Sequence, residues 1–265
     1  MQNAKPMKVV ILCGGLGTRL REETEFRPKP MVPIGDRPIL WHIMKIYAHH
    51  GFREFILCLG HKGEYIKEYF RNYQWNTSDV TLKLGARPQI KYHNQHSEED
   101  WTVTLVDTGQ GTQTGGRLRR VLPHIESDTF LLTYGDGVTD SNIPESVDFH
   151  VKSGATMTVT AVQPPGRFGD ISLAGNVVKE FREKPDRDTH YINGGFFVVN
   201  KAIEKYLTGD DCILEREPMA QMAKEGKICA FKHKGFWQCM DTYREQQMLT
   251  GMWNSGQAPW KIWQG

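Results

Sequence analysis

Apolar residues form short, unbroken runs in the first half of the chain, and stretches with a helical pattern separate them. Each run has the length and the β-branched composition of a strand that is buried on both faces. These runs lie at 8–13, 54–59 and 129–133, and a further strand is predicted at 103–107. Helical patterns lie between them, at 38–50, 63–73 and 117–122. Strand followed by helix, repeated along the chain, predicts a parallel sheet with right-handed crossovers.

The second half of the chain changes in texture, because apolar and polar residues begin to alternate there. This pattern is typical of strands with one exposed face. Such strands are predicted at 156–162, 176–182, 191–200 and 228–232, and weaker ones at 80–84 and 90–93 are expected at a sheet edge. Two more helices are predicted, at 214–224 and 241–253. The elements together predict one α/β domain over residues 7–265, with a Rossmann-like, mixed, mostly parallel sheet flanked by helices and a smaller β-rich elaboration.

Composition narrows the classes of protein to consider. The formal net charge of +2 over 265 residues is too small to predict nucleic-acid binding. The five cysteines form no CxxC pair, which favours free thiols in a reducing cytoplasm over a disulfide framework or a zinc site. No apolar stretch approaches the roughly 20 residues of a membrane helix. We therefore expect a cytoplasmic protein without a membrane span, and we expect residues 1–6 to be a leader outside the domain.

A glycine-rich loop, GGLGTR from Gly14 to Arg19, follows the first predicted strand. An open α/β sheet binds its ligand at the carboxyl ends of its strands, and glycines there let backbone amides approach phosphate oxygens. The dinucleotide fingerprint GxGxxG is broken by Leu20, and no Gly-Lys-Ser/Thr follows to make a Walker A loop. Thr18 and Arg19 instead offer a hydroxyl and a guanidinium to a phosphate. Taken alone, the loop could equally be a structural turn.

Shortly after the loop, the segment RPKP places Lys29 between two prolines. Prolines fix φ and reduce chain entropy, so the lysine is held on a stiff segment. A lysine in a proline turn is often only structural. Its position after a phosphate-type loop favours a second phosphate ligand.

GGLGTRL followed by RPKPMVPIGDRPIL resembles the signature of the sugar-1-phosphate nucleotidyltransferases. The resemblance extends from Met7 to about Trp263 through TLVDTG, TGGRL, TYGDGV, PPGRFG, EKP, INGGFF, FWQCMDT and APWK, in that order. TGGRL, INGGFF and MDT narrow it towards the cytidylyl branch of the family. Two departures from the expected pattern bear on the sugar pocket: Asp170-Ile171 follows Gly169, and Cys239 stands where proline is expected.

The resemblance implies transfer of a nucleotidyl group from CTP to glucose 1-phosphate, which gives CDP-glucose and pyrophosphate. It also implies Mg²⁺ as cofactor, a place in CDP-deoxysugar biosynthesis and a homo-oligomer of six copies. The expected nucleotide-binding half is about 7–140, and the sugar-binding and oligomerisation half is about 141–265. The nucleobase and the sugar rest on the resemblance alone, because no spacing in the chain identifies a base edge.

The resemblance also assigns roles to single residues. The expected catalytic cations are Arg19, Lys29 and Lys184. The expected nucleotide contacts are Leu12, Gly14, Gly15, Leu16, Gly17, Thr18, Thr114, Gly115, Arg117 and Gly135. Sugar-phosphate binding falls to Gly169, Glu183, Asn193 and Trp237, and Mg²⁺ binding to Asp136 and Asp241. Taken singly, an aspartate in such a turn is usually a cap, Glu183 could be a surface charge, and Arg117 could simply begin a helix.

Other functions fit the chain less well. A metal-dependent glycosyltransferase normally carries an Asp-x-Asp motif, whereas Gly137 and Val138 follow Asp136. A dehydrogenase is disfavoured by the broken dinucleotide fingerprint. A non-catalytic domain that binds sugar nucleotides to regulate a partner would be expected to lose some of Arg19, Lys29, Asp136 and Asp241. All four are present, which favours catalysis. In the implied reaction the sugar phosphate has a second pKa of about 6, so it needs little help from a general base.

Overall fold

The computed structural model describes residues 6–93, 100–163, 170–174, 177–182 and 191–264. Its strands are β1 Val9–Leu12, β2 Pro33–Ile34, β3 Arg37–Pro38, β4 Glu54–Leu59, β5 Asp79–Lys83, β6 Gln89–His93, β7 Thr102–Asp107, β8 Thr129–Tyr134, β9 Gly137–Thr139, β10 Met157–Val162, β11 Asp170–Ala174, β12 Val177–Arg182, β13 Ile192–Asn200, β14 Ile228–His233 and β15 Trp237–Cys239. Its α-helices are α1 Arg21–Thr24, α2 Ile39–His49, α3 Gly63–Arg71, α4 Tyr73–Thr77, α5 Thr114–Val121, α6 Ile143–Ser153, α7 Glu217–Lys224 and α8 Tyr243–Asn254.

A seven-stranded sheet in the order β14-β10-β13-β8-β1-β4-β7 forms the centre of the fold. β8, β1, β4 and β7 pair in parallel, and so do β10 and β14, whereas β13 is antiparallel to both of its neighbours. Strands from both halves of the chain therefore share one sheet. The mixed, mostly parallel sheet with flanking helices confirms the predicted fold class.

Two hydrophobic cores cover the two faces of this sheet. Successive side chains of a strand point to opposite faces, so Val9 and Ile11 pack with α2 while Val10 and Leu12 pack with α5. All four side chains are buried, which explains why the first strand is apolar at every position. The helix α2 is buried from Ile39 to Ala48.

β1 is also the strand with later strands of the chain on both of its sides. The chain proceeds from β1 to β4 and β7 on one side, and β8 pairs with β1 on the other side. The segments that leave the carboxyl ends of β1 and β8 therefore diverge, and an open α/β sheet has its ligand crevice at such a place.

The structure differs from the predicted pattern of elements in three places. The strands β5 and β6 pair with each other as a separate hairpin and do not extend the main sheet. The strand β10 was expected to be half exposed, but Thr158 and Thr160 are buried, and the Thr158 hydroxyl lies 2.9 Å from Nδ1 of His150. The helix α6 was not predicted, although Asn142 caps its start and Gly154 ends it in a left-handed conformation.

No helix of the described residues is long and apolar enough to cross a bilayer.

His42 is buried in α2 and makes contacts that require a neutral imidazole. Its Nε2 lies 3.0 Å from the carbonyl oxygen of Ile34, and its Nδ1 accepts from the indole N–H of Trp260 at 3.4 Å. Protonation of Nδ1 would place its N–H against the indole N–H of Trp260, so the charged imidazole would lose this hydrogen bond. Burial lowers the pKa of His42 from its ordinary 6.5 to about 4.

We expect His42 to make the protein less stable as the pH falls from 6.5 to 4, because only the unfolded chain binds the proton in that window. The loss should approach about 3 kcal/mol at pH 4. In urea unfolding at several pH values, His42→Gln should remove this part of the pH dependence, while His124→Gln, at an exposed histidine, should match the wild type. Parallel curves for His42→Gln and the wild type would contradict the prediction.

Candidate active site

Two cavities open side by side at the carboxyl ends of β1 and β8. The larger, of about 480 Å³, lies between the 14–19 loop, the 110–114 segment after β7 and the 134–136 turn after β8. The smaller, of about 300 Å³, lies between that turn, the start of β13 and the 237–241 segment. Arg19, Tyr134 and Asp136 line both. Cavities of this size suit two small ligands that meet at a shared wall.

The loop after β1 is shaped by contacts behind it. Gly17 has a φ of +64°, and a Cβ there would meet the Thr24 side chain at 2.7 Å. The Thr24 hydroxyl donates to the carbonyl oxygens of Gly17 and Leu20, at 3.0 and 2.8 Å. Gly15 faces open space, where nothing lies within 4 Å of a built Cβ. The loop therefore presents its backbone to the larger cavity.

Lys29 is aimed into the same region by the prolines beside it. It begins a short 3-10 turn after Pro28, whose backbone is extended. Pro30 packs on Gly135, where a Cβ would lie 2.8 Å from its Cγ. The glycine of the turn after β8 thus lets the lysine segment lie directly against Asp136.

Asp136 and Asp241 are brought together by a small antiparallel sheet. β15 pairs with β9 so that Cys239 lies opposite Gly137, and the Met240 amide donates to the Asp136 carbonyl at 2.8 Å. This register places two residues far apart in the chain on the same edge of the smaller cavity.

The start of α8 fixes the backbone of Asp241. Thr242 caps the helix and forms a capping box with Glu245. The Glu245 carboxylate also accepts from the Asp241 amide at 2.8 Å. Because the backbone is held, the Asp241 side chain projects from a rigid helix end.

One ammonium joins the two carboxylates. Nζ of Lys29 donates to Oδ2 of Asp136 and to Oδ1 of Asp241, each at 2.6 Å, and Nη1 of Arg19 lies 2.8 Å from Oδ2 of Asp241. The Lys29 side chain is 11% exposed and that of Arg19 is 73% exposed. The cluster therefore has a buried cation at its centre and a solvated cation at its rim.

The charges of the cluster move the pKa values of its members. Burial alone would lower the pKa of Lys29, but the hydrogen-bonded carboxylates of Asp136 and Asp241 outweigh it and raise that pKa. Burial alone would raise the pKa of Asp241, but the Lys29 ammonium and then the Arg19 guanidinium hold it below its usual range. Lys29 and Asp241 are therefore both ionised at neutral pH.

The chain is similar to known proteins over nearly its whole length. The family model for nucleotidyl transferase matches residues 8–238. The glucose-1-phosphate cytidylyltransferase of Salmonella typhimurium is 51% identical over 259 residues, which cover 97% of this chain and 100% of the relative. The chain belongs to the nucleotidyl transferase family. This finding confirms the family predicted from the sequence.

Solved structures share the fold at lower identity. The structure of HddC from Yersinia pseudotuberculosis matches with a TM-score of 0.68 at 22% identity, over 93% of this chain and 99% of that one. The structure of UDP-glucose pyrophosphorylase with UDP-glucose matches with a TM-score of 0.65 at 15% identity, over 95% of this chain and 99% of that one.

In this nucleotidyl transferase, the residues predicted to bind the nucleotide line the larger cavity, with the exception of Gly115. Gly115 packs behind the cavity wall, where a Cβ would lie 2.6 Å from Sγ of Cys212. Two of the residues predicted to bind the sugar phosphate, Asn193 and Trp237, line the smaller cavity. Lys184, Gly169 and Glu183 lie outside the described residues. Direct contact of any of these side chains with a substrate stays a prediction.

Arg117, which was predicted to contact the nucleotide, lies behind the 14–19 loop. Its guanidinium donates to the carbonyl oxygens of Gly14 and Leu59, at 3.1 and 3.0 Å. It also donates to the segment after β7, through the Thr108 hydroxyl and the carbonyl oxygens of Gly109 and Gln110. The side chain is 4% exposed. Arg117 thus ties together the chain at the ends of β1, β4 and β7, and the segments after β1 and β7 line the larger cavity.

The sequence missed Tyr134, Gln110 and Glu215, which belong to the site. Tyr134 lines both cavities, and Gln110 lines the larger one. Glu215 receives hydrogen bonds from Thr114 and Tyr134. The positions of Tyr134 at the end of β8 and of Gln110 shortly after β7 could have indicated them, whereas no local signal marks Glu215.

We expect Gly14→Ala to lower the free energy of unfolding by about 2 kcal/mol. The new Cβ would lie 2.2 Å from Nη1 of Arg117, and the hydrogen bonds of that guanidinium prevent it from moving away cheaply. Gly15→Ala is the matched control, because its Cβ meets open space, and its change should stay within about 0.5 kcal/mol. Urea unfolding of both variants measures the difference, and equal stabilities would contradict the packing described.

Proposed function

We propose that the protein transfers the cytidylyl group of CTP to glucose 1-phosphate and releases pyrophosphate, with CDP-glucose as the other product. The observation that carries the proposal is the cluster of Lys29, Asp136 and Asp241 at the junction of two cavities of ligand size. The choice of CTP and glucose 1-phosphate is supported by the full-length relative at 51% identity, which is named for that reaction.

The reaction is a direct displacement at phosphorus. A phosphate oxygen of glucose 1-phosphate attacks the α-phosphorus of CTP, and the bond from that phosphorus to the bridging oxygen of pyrophosphate breaks. The attacking phosphate has a second pKa of about 6, so it is largely a dianion at neutral pH and needs no general base. The obstacle is the approach of two anions, which the positive charges of the site must offset.

Lys29 and Arg19 supply this charge from the described residues. An ammonium has three N–H donors, and two of those of Lys29 are used by the aspartates, so the third can donate to a phosphate oxygen. Arg19 is exposed and lines both cavities, so its guanidinium can bind a phosphate from either substrate. The proposal also includes Lys184 as a third cation.

The carboxylates of Asp136 and Asp241 fit a divalent cation. They already share one cation, the Lys29 ammonium, and Mg²⁺ prefers carboxylate and phosphate oxygens. The described residues hold no group of three or more His, Cys, Asp or Glu side chains placed for a metal, so phosphate oxygens and water would complete the ligand set. Bound Mg²⁺ would supply further positive charge against the phosphates. Lys29 and the metal would then compete for the same carboxylate oxygens.

The resemblance extends the proposal beyond the site. A homo-oligomer of six copies, a cytoplasmic location and the supply of CDP-deoxysugar biosynthesis stay predictions, and so do the bounds of the nucleotide-binding and sugar-binding halves. Light scattering on the purified protein measures the number of copies.

Pyrophosphate release with glucose 1-phosphate and Mg²⁺ tests the proposed function. We expect turnover with CTP and much weaker turnover with UTP, dTTP, ATP and GTP. Preference for another nucleotide would keep the displacement chemistry and overturn the choice of base. No release with any nucleotide, over a panel of sugar 1-phosphates, would instead favour a protein that binds sugar nucleotides without converting them.

Lys29→Met should reduce kcat by roughly a hundredfold, since a positive charge aimed at developing negative charge contributes on the order of 3 kcal/mol. Lys67→Met is the matched control, because it removes the same charge from an exposed position on α3 and should leave kcat unchanged. Steady-state kinetics with saturating CTP and glucose 1-phosphate measures both. A Lys29→Met enzyme as active as Lys67→Met would remove Lys29 from the mechanism.

A further inference from the structure

Glu215 joins a side chain of the larger cavity to a side chain on the wall that both cavities share. Its Oε2 accepts from the Thr114 hydroxyl at 2.7 Å, and its Oε1 accepts from the Tyr134 hydroxyl at 2.5 Å. Thr114 lines the larger cavity, and Tyr134 lines both. A single carboxylate therefore holds one group on the nucleotide side and one group on the wall between the two sides.

The backbone places Glu215 without help from its side chain. The amides of Gly115 and Gly116, at the start of α5, donate to the Cys212 carbonyl at 2.9 and 3.2 Å, and the Leu214 amide donates to the Thr114 hydroxyl at 2.9 Å. A Cβ on Gly116 would lie 2.6 Å from the Asp210 carbonyl oxygen, so the two segments can approach this closely only with glycine there. A change confined to the Glu215 carboxylate leaves these contacts in place.

Gly195 and Asn193, which line the smaller cavity, contact Tyr134 on its other sides. A Cβ on Gly195 would lie 2.6 Å from its ring, and Nδ2 of Asn193 donates to its hydroxyl at 3.4 Å. Burial and then the charge of Glu215 raise the pKa of Tyr134, so its hydroxyl stays a donor at neutral pH. The position of this ring therefore depends on Glu215 from one side and on Asn193 from the other.

We propose that Glu215 is a positioning residue that sets the Thr114 hydroxyl and the Tyr134 wall together, so that binding of the nucleotide and of the sugar phosphate depends on the same carboxylate. The inference rests on the proposed function for the identity of the two substrates. In the part of the chain that the structure describes, the hydrogen-bond partners of Glu215 do not include Lys29, Asp136 or Asp241. Loss of Glu215 therefore weakens the binding of both substrates and spares the chemical step.

Glu215→Gln keeps the size of the side chain but replaces one acceptor oxygen with a donor, so it cannot accept from both hydroxyls. We expect the KM for CTP and the KM for glucose 1-phosphate to rise about fivefold to tenfold each, with kcat within about threefold of the wild type. Glu217→Gln is the matched control, because it makes the same change of charge two residues away in the first turn of α7. It should leave both KM values unchanged.

The split between KM and kcat separates positioning from a general loss of structure. A smaller folded fraction would lower the apparent kcat and leave both KM values as they are, and that result would overturn the proposal. A rise in only one of the two KM values would also overturn it. The double variant Glu215→Gln/Tyr134→Phe should raise the KM for glucose 1-phosphate no further than the more affected single variant, because the carboxylate acts on that pocket through the tyrosine.

The proposed function and this inference can fail separately. If the wild type releases pyrophosphate and Glu215→Gln has normal KM values, only the inference fails. If the wild type shows no turnover, the proposed function fails, and calorimetric titration with CTP and with CDP-glucose decides the inference. Weaker binding of both ligands to Glu215→Gln than to Glu217→Gln would then support the inference. Equal binding, or no binding to the wild type, would overturn it.

Discussion

The contact of Lys29 with Asp136 and Asp241 is the interaction on which the site depends. Its three members lie 107 and 212 positions apart along the chain, measured from the lysine. Two carboxylates that share a partly buried site repel each other unless a cation lies between them. The ammonium stabilises their approach and holds the pKa of Asp241 below its usual range. In the proposed function, the same charge that stabilises the cavity wall also acts on the phosphates.

The surrounding structure holds this cluster mainly through the backbone. Pro30 against Gly135, the pairing of β9 with β15 and the capped start of α8 each fix one member of the cluster. Arg117 and Glu215 support the cavities and not the cluster itself, because each forms hydrogen bonds to segments that line a cavity. Rigid supports of this kind keep charged side chains oriented before a substrate arrives, which is the condition for electrostatic stabilisation of a transition state.

The sequence was informative where one local pattern determines structure. Uniformly apolar runs identified β1, β4 and β8, and a glycine-rich loop after the first of these placed one wall of the larger cavity. It was less informative where burial depends on partners. The threonines of β10 alternate as in an exposed strand, yet Thr158 and Thr160 are buried, and α6 supplies His150 as a partner for the Thr158 hydroxyl. That helix carries a capping asparagine, an early proline and a terminal glycine, which would have predicted it if weighed together.

The sequence predicted the residues of the site better than it predicted the contacts between them. The resemblance identified Asp136 and Asp241, but nothing local predicts that Cys239 pairs with Gly137, the register that brings them together. Likewise, an arginine after two glycines suggests a ligand contact, but nothing local predicts that the Arg117 guanidinium also donates to backbone carbonyls. Nor does a local pattern predict that Gly115, which was expected to contact the nucleotide, and its neighbour Gly116 lie against the 209–212 segment. Such pairings depend on residues distant in the chain, which a local pattern does not contain.

In the proposed function, the Lys29 ammonium serves as the cation of the Asp136–Asp241 pair until a divalent cation competes with it for the carboxylates. Calorimetric titration of Mn²⁺ into the nucleotide-free protein measures this competition. We expect weak binding to the wild type and binding to Lys29→Met that is about tenfold tighter, since removal of the competing cation favours the metal by about 1.4 kcal/mol. Asp136→Asn should abolish the gain. Equal or weaker binding to Lys29→Met than to the wild type would show that Lys29 does not compete with the metal.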